Sequence, residues 1–503
     1  MSETVQRTTE TVREGAGFPG FRRGILVRMG GEIYTKSSKT RRRFLRALVD
    51  NIKLALRESG LEATVRPEWS RVRVYAEDLR RTREALGRVF GVYSVAEVVE
   101  VPYASLEDLV AKVAPMFREH VAGRTFAVRA RRRRAPFTSQ DVGRELGAAL
   151  LPFSAGVNLD EPEAEVRLEV GRERAFVILE ESRGPGGFPA GTGGRALALF
   201  SGGFDSPVAA WQVMRRGIRV DLVIYDLGGC GQVGQALAVA RELALRWAPG
   251  LEMRANVVDL APVVSALVRR VDPRLRQILL KRAMYRAGSI LAEELGFEAL
   301  VTGESLGQVS TQTLRNLAVA EEAASVPVLR PLVGSDKQEI IETARKIGTH
   351  DVSALVKEHC SIATGPVETW ADPEEVLTAE SGLDQDVDES WLRRTVANRR
   401  VIRLKSWDPT AEESPDYVVD RVPEGAVVVD IREPGEGEPV GDLRLPFSRA
   451  MESLDRLDRS REYLLVCASG RRSELLAREM LGRGYRAYSL EGGVDRLAGA
   501  VSA

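Results

Sequence analysis

Hydrophobic positions recur at helical spacing through RRRFLRALVDNIKLALRESG, residues 41–60, and Gly60 ends the run, which predicts an amphipathic helix. Ahead of it, GILVRMGGEIY (24–34) alternates, with Ile25, Val27 and Met29 on one face, and predicts a strand. ATVRPEWSRVRVYA (63–76) reads as a strand pair and RRTREALGRVFGV (80–92) as a second helix. This β-α-β-β-α-β rhythm is that of a small ferredoxin-like α+β unit, set at 23–76. Residues 1–22 are polar, close on Gly and Pro, and are expected to be disordered.

A second α+β unit is expected over 77–182. SLEDLVAKVAPMFREHV and DVGRELGAALL predict helices, RTFAVRARRR a strand with Phe126 and Val128 on one face, and EAEVRLEVGRERAFVILE a hairpin. SRGPGGFPAGTGG, from Ser182, is too rich in glycine for an element and reads as a linker or loop. From Arg195 strands alternate with helices. ALALF, VDLVIYDL, ANVVDL and ALVTGE are the strands of a doubly wound parallel sheet, in a domain set at 183–370. An acidic, weakly patterned linker is expected over 371–415. A last small α/β unit, 416–503, has strands in AVVVDIRE, YLLVCASG and YRAYSLEGG and a helix in RRSELLAREMLGRG. The fold class expected is therefore multidomain, α+β in front and α/β behind.

Composition adds bounds. A chain of 503 residues is too long for one core, and three or four domains are expected. The N-terminus lacks the apolar core of a signal peptide, and no apolar run approaches a membrane span, so a cytoplasmic protein without membrane contact is expected. Three cysteines are too few for a disulfide scaffold. With three histidines and no metal spacing, they do not point to zinc or iron–sulfur, and no metal-ligand set is assigned. Net charge is zero, but its distribution is uneven. Lys36, Lys39, Arg41, Arg42 and Arg43 crowd one segment, and Arg129, Arg131, Arg132, Arg133 and Arg134 another, while acid gathers after Ala371. A basic front suits a polyanion.

The stretch LFSGGFDSPVAA (199–210) carries the first chemistry. An apolar strand passes through Gly202 and Gly203 into a helix, with Pro207 in its first turn and Asp205 or Ser206 able to cap it. Such a turn aims successive N–H groups and a helix N-terminus at one point, which suits a phosphate; a plain βα turn is the alternative. The stretch matches the PP-loop, S-G-G-x-D-S, of ATP pyrophosphatases, which adenylate a carbonyl oxygen.

The match extends through LLKRAMYRAGSILAEELG with Lys281, ALVTGESLGQVSTQT with Gly303, Gln308 and Gln312, and RPLVGSDKQEI with Asp336 and Lys337. With the paired α+β front, these motifs resemble the tRNA 4-thiouridine synthetase family, also called the tRNA sulfurtransferase or thiamine-biosynthesis sulfurtransferase family, over nearly the whole chain. The resemblance implies a THUMP domain at 77–182 that binds tRNA together with the first unit, through Lys36, Lys39, Arg41, Arg129, Arg131, Arg132 and Arg133. No aromatic stripe is evident, so shape and phosphate readout are expected. It implies ATP contacts from Leu199, Phe200, Ser201, Gly202, Gly203, Ser206, Ile224, Tyr225, Lys281, Gly303 and Gln312, roles for Asp205 and Lys337 in adenylation, and Mg²⁺ beside ATP.

Cys467 ends an apolar strand before Gly470, Arg471, Arg472 and a helix. Loop amides, a helix N-terminus and arginines activate a thiol, and C-x-x-G-x-R-S resembles the rhodanese loop whose cysteine carries a persulfide. Asp430 and Arg432 in VVVDIRE fit the same unit. The resemblance gives Cys360, in KEHCSIATG, the role of a second cysteine that forms a disulfide with Cys467 during turnover. Cys230, in LGGCGQVG, reads as a small residue in a turn. A disulfide needs Cα atoms within about 7 Å, so the last unit must swing in or act across a homodimer. The function implied is ATP-dependent thiolation of uridine 8 of tRNA, with a cysteine desulfurase as sulfur source and a thiamine-pathway sulfur-carrier protein as a second acceptor. An amide-forming ATP pyrophosphatase and a non-enzymatic RNA-binding protein are the alternatives. The first would need neither basic front nor reactive cysteine; the second should have lost Asp205 or Lys337.

Overall fold

The first strand, Arg22–Met29, does not alternate as expected, being buried on both faces from Gly24 to Val27, and it stops at Gly30–Gly31. The computed structural model describes residues 21–69, 71–228, 232–309, 311–356, 367–383, 386–409, 416–494 and 496–497. It divides into two units. One runs to Thr192 and takes in Arg215–Gly217 and Pro249–Leu251; the other comprises Gly193–Met214, Ile218–Ala248 and Glu252–Ala503.

The first unit begins with β1 (Arg22–Met29), α1 (Gly31–Tyr34), α2 (Ser38–Glu58), β2 (Ala63–Pro67), β3 (Arg71–Ala76), α3 (Leu79–Leu86) and β4 (Val92–Pro102). The strand expected over 24–34 is thus shorter: Gly30 and Gly31 carry no side chain to pack on a pleat, and the chain turns into α1, burying Ile33. Then come α4 (Leu106–Val121), β5 (Thr125–Arg132), α5 (Ser139–Leu150), β6 (Gly156–Val157), β7 (Ala164–Val170) and β8 (Arg174–Arg183). All eight strands form one sheet, in the order β2-β3-β1-β4-β8-β7-β5-β6. The long β4 serves two cores. Val92 and Val95 pack with Leu48 and Ile52 of α2, and Val99 and Val101 with Leu109 and Val113 of α4. Buried carboxylates in this unit are matched by arginines, Glu169 by Arg71 at 2.7 Å and Glu100 by Arg73 at 3.0 Å, as a buried charge requires.

The second unit starts with β9 (Arg195–Leu199), α6 (Asp205–Arg215), β10 (Arg219–Asp226), α7 (Gln232–Trp247), β11 (Arg254–Asp259), α8 (Ala261–Arg270), α9 (Arg276–Leu295), β12 (Ala299–Val301), α10 (Leu314–Glu321), β13 (Val328–Leu329), α11 (Lys337–Ile347) and α12 (His350–Ser353). It continues with α13 (Pro373–Ser381), α14 (Glu389–Ala397) and β14 (Arg400–Arg403). The strand order is β13-β12-β9-β10-β11-β14. The chain leaves β9 toward β10 and β11 and returns on its other side as β12 and β13. Strand order therefore reverses at β9, where open parallel sheets bind ligands beyond the strands' carboxyl ends.

The described residues of the expected linker, 371–383 and 386–409, form packed elements instead. On α13 Glu374 and Glu375 are exposed while Val376 and Glu380 are buried, on α14 Leu392 and Val396 are buried, and β14 pairs antiparallel with β11 from Arg254↔Arg403 to Val257↔Arg400. The remaining elements are β15 (Val418–Val419), β16 (Val427–Asp430), β17 (Leu443–Arg444), α15 (Phe447–Ser453), β18 (Glu462–Val466), α16 (Arg471–Gly482) and β19 (Arg486–Leu490). They form a parallel five-stranded sheet, β15-β19-β18-β16-β17. Its helices α15 and α16 pack on α8, and one continuous apolar core joins them. Among the described residues no helix is long and apolar enough to cross a membrane.

Candidate functional site

The turn from β9 into α6 is shaped by one serine and two glycines. Ser206 is buried, and its Oγ accepts from the N–H groups of Ser201 and Gly202, each at 3.3 Å. Gly202 holds φ at +84°, and a Cβ there would lie 2.8 Å from Ala236 Cα, so glycine is required twice over. Gly303, just past β12, closes the turn from the other side; its Cβ would meet Asp205 C and Ser206 N at 2.9 Å. The result is a backbone cradle at the N-terminus of an eleven-residue helix, a geometry that favours an anion.

Asp205 is fixed by two side chains distant in sequence. Lys337 Nζ lies 3.1 Å from Oδ1, and Gln308 Nε2 donates to Oδ2 at 3.0 Å. The Lys337 ammonium also stands 5.6 Å from the Phe204 ring centroid, and that ring lies 5.4 Å from His350. Lys337 opens α11 behind Asp336, whose carboxylate caps it with Glu339 in a capping box. Gln308 and Gln312 each keep a buried side-chain carbonyl oxygen without a hydrogen-bond partner.

Parallel register sets Leu199 opposite Val223, and Phe200 N donates to Val223 O at 2.9 Å. Leu199, Phe200, Ile224 and Tyr225 thereby end adjacent strands together. Phe200 and Ile224 are buried, so only their backbone can face a ligand. Tyr225 donates to Met284 O at 2.5 Å, and burial raises its phenol far above the usual range.

Lys281 does not stand alone. Its Nζ is 2.6 Å from Glu304 Oε1, while Arg330 Nε, Tyr285 Oη and Thr302 Oγ1 reach Glu304 Oε2 at 2.9, 2.5 and 3.0 Å. Burial pushes the Glu304 carboxyl up, but the Lys281 charge and hydrogen bond, the Tyr285 hydroxyl and the Arg330 charge outweigh it and hold it at about 2. Sequence reading missed Glu304, and it quoted Gln308 without a role. Glu304, polar directly after an apolar strand and Gly303, was the signal available.

Ser201–Ser206, Ile224, Tyr225 and Gly303 therefore converge at the carboxyl ends of β9, β10 and β12, Lys281 joins them through Glu304, and Gln312 sits in the segment before α10. The cysteines are placed otherwise. Cys467 is a free thiol, 1% exposed, just past β18. Ser473 Oγ lies 3.5 Å from its sulfur, and Val494 N donates to its carbonyl at 2.8 Å. Gly470 caps α16 at φ +87°, Arg472 pairs with Glu436 at 2.7 Å, and Arg432 with buried Asp430 at 2.8 Å. The Arg432 hydrogen bond keeps Asp430 low against its burial. Cys360 and Cys230 lie outside the described residues.

In the first unit the basic residues are unequal. Lys36 and Lys39 are exposed, and Arg41 lies over the Trp69 ring at 4.6 Å. Trp69 is 66% exposed and stacks on Tyr34, an aromatic surface the sequence reading did not foresee. Arg129 and Arg131 line a groove of about 840 Å³ with Arg144, Leu151 and Leu159. Arg129 is partly neutralised by Glu165 at 3.1 Å, Arg132 donates to Ala135 O at 2.9 Å, and Arg133 lies 3.9 Å from Glu169.

Residues 24–96 match the ThiI ferredoxin-like domain, 103–180 the THUMP domain, and 191–384 the thiamine biosynthesis protein (ThiI) family. The tRNA sulfurtransferase of Desulfurococcus amylolyticus is 39% identical over 476 residues, 94% of this chain and 97% of that one. That of Pseudomonas aeruginosa is 38% identical over 479 residues, 92% of this chain and 98% of that one. A crystal structure of a 4-thiouridine synthetase–RNA complex with bound ATP superposes at a TM-score of 0.65 and 28% identity, over 75% of this chain and 99% of that chain. With identity of this level sustained along the chain, the protein belongs to the tRNA sulfurtransferase family.

Proposed function

We propose that this chain uses ATP to replace the C4 oxygen of a tRNA uridine, position 8, with sulfur. The observation that carries the reading is the Ser201–Ser206 cradle, closed by Gly303, with Asp205 held between Lys337 and Gln308. Family membership and the ATP-bound RNA complex of a relative support it. The cradle amides would bind phosphate, and the backbone at Leu199, Phe200, Ile224 and Tyr225 would line the nucleotide. Uridine O4 would attack the α-phosphorus and pyrophosphate would leave. A carbonyl oxygen is a poor leaving group; AMP carrying it is a good one.

Among the described residues no cluster of three or more His, Cys, Asp or Glu is built to hold a metal ion. Asp205 in the cradle suits a Mg²⁺ that arrives on ATP and takes one protein carboxylate. There it would neutralise phosphate charge.

In this reading residues 416–503 are a rhodanese-like unit, loaded by a cysteine desulfurase as a persulfide on Cys467. The terminal sulfur attacks C4 and AMP leaves. Cys360 thiolate then attacks Cys467 Sγ, the S–S bond to the base breaks, 4-thiouridine departs, and the Cys360–Cys467 disulfide awaits an external dithiol. The 1% exposure of Cys467 means that the loop around it must open for loading. Transfer to a sulfur-carrier protein for thiamine synthesis would use the same persulfide. The basic and aromatic residues of the first unit, Lys36, Lys39, Arg41, Arg129, Arg131, Arg132 and Arg133, would contact tRNA.

The test is reconstitution with unmodified tRNA, ATP, Mg²⁺, cysteine and a desulfurase, followed by mass spectrometry of nucleosides. Wild type should form 4-thiouridine and AMP. Cys467→Ser should lose thiolation by about 10²-fold or more while still forming AMP. Intact thiolation in that variant overturns the relay, and AMP formation without any thiolated base in wild type overturns the substrate.

A further inference from the structure

Glu304 stands at the carboxyl end of β12, one residue past the glycine that closes the cradle. It is 6% exposed, and its two oxygens are shared by two cations and two hydroxyls. Lys281 and Tyr285 are four residues apart on α9, one turn, so a single helix face presents both to it. Arg330 has a second acid, Glu321. Lys281, among the described residues, has no acid but Glu304 within ion-pair distance.

A lysine carries its charge on a flexible stem with large rotamer entropy. Left alone near a cradle, it would have to be ordered when an anion arrives. Held at 2.6 Å by an immobile carboxylate, it is ordered beforehand, and the ordering cost is met in folding rather than in binding. Glu304 is immobile because Arg330, Tyr285 and Thr302 fix its other oxygen.

We propose that Glu304 is a positioning residue for the nucleotide step, fixing the Lys281 ammonium beside the Gly303 end of the cradle so that ATP phosphates meet a cation already in place. This rests on the ATP reading of the cradle. It also predicts a sign. Were Glu304 felt only as a negative charge, its removal would tighten ATP binding. If it positions Lys281, its removal weakens ATP binding.

The experiment is a double-mutant cycle on the full chain: wild type, Glu304→Gln, Lys281→Met and the double variant, with Kd for ATP and, separately, for tRNA. Glu304→Gln should weaken ATP by about 10-fold in the wild-type background and by less than about 2-fold in the Lys281→Met background, with tRNA affinity unchanged. Tighter ATP binding, an unchanged Kd, or equal weakening in both backgrounds overturns the proposal; equal weakening would mark Glu304 as structural only. Thermal melts check folding, and if Glu304→Gln does not fold, Glu304→Asp, which keeps the charge but shortens its reach, carries the same cycle. Absence of ATP binding by wild type overturns the ATP reading itself, a result distinct from any of these.

Discussion

Glu304 remains ionised in a buried site because its partners overcome the cost of desolvation. Its folded value of about 2 lies below the ordinary 4.5, so the folded state binds this proton less readily than the unfolded chain. The resulting stabilisation is fully present above pH 4.5 and is lost as pH falls toward 2. Its size is on the order of 3 kcal/mol, from about 1.4 kcal/mol per pK unit. Unfolding free energies of wild type and Glu304→Gln should therefore differ by a constant amount from pH 7 to 5, and more than half of that pH-dependent gain should be gone at pH 3. A difference that does not change between pH 5 and 3 would show that the carboxylate is not held low. The same residue shows the limit of sequence reading at this scale. SGGFDS announces a cradle by its own glycines and serine, and Gly303 and Lys337 follow from motif. The four partners of Glu304 lie from 2 to 26 positions away, and only folding brings them to one carboxylate.

At the scale of elements, α13 carries the clearest departure from expectation. Its sequence, PEEVLTAES, is acidic and short of apolar residues, which reads as a linker when composition is the guide. One acid is not solvent-facing. Glu380 is buried and accepts from Arg282 at 2.8 Å and Arg286 at 2.9 Å, tying α13 to α9. Arg282 is 2% exposed. Removing Glu380 would leave that guanidinium short of a counter-charge in the core, so Glu380→Ala should destabilise by about 3–5 kcal/mol in urea unfolding. Exposed Glu374, on the same helix, should cost less than about 0.5 kcal/mol on replacement by Ala. Equal effects would return 371–415 to the status of a linker. Most long elements were legible because their periodicity is strong: α2 with Phe44, Leu48, Ile52 and Leu56, or β10 with its continuous VDLVIY. The two-residue β13 and the edge strand β14 were not. Arg400–Arg403 has two arginines for four residues, and its strand state comes from pairing with β11 rather than from its own preference.

At the scale of the molecule, the last α/β segment reads in sequence as a separate body that must swing in or act across a homodimer. The structure gives it a core in common with the sheet before it. Gly228, just past β10, packs closely on the segment: a Cβ there would lie 2.6 Å from the Leu475 Cδ1 methyl of α16 and 3.2 Å from Ala261 Cβ of α8. Val263 and Leu267 of α8 and Ile431, Phe447 and Leu476 belong to one buried cluster. Arg478 of α16 pairs with Asp259 at the end of β11 and stands 3.9 Å from Asp226 at the end of β10. Burial raises the Asp226 carboxyl, and Arg478 opposes that rise. Swinging the whole segment away would strip apolar cover from α8 and leave those carboxylates without their cation, each at a cost in free energy. A chain ending at residue 415 should therefore melt at least about 5 °C lower than the full chain and bind a hydrophobic dye before unfolding. Arg478→Ala, which keeps the apolar cover, should lower the midpoint by less. If the shortened chain melts at the full chain's temperature without dye binding, the shared core contributes nothing and the segment is free to move as one body. If it melts lower, access to Cys467 has to come from opening of the loop between β18 and α16, where Gly470 holds positive φ, against the turn after β19, where Gly492 and Gly493 do so too.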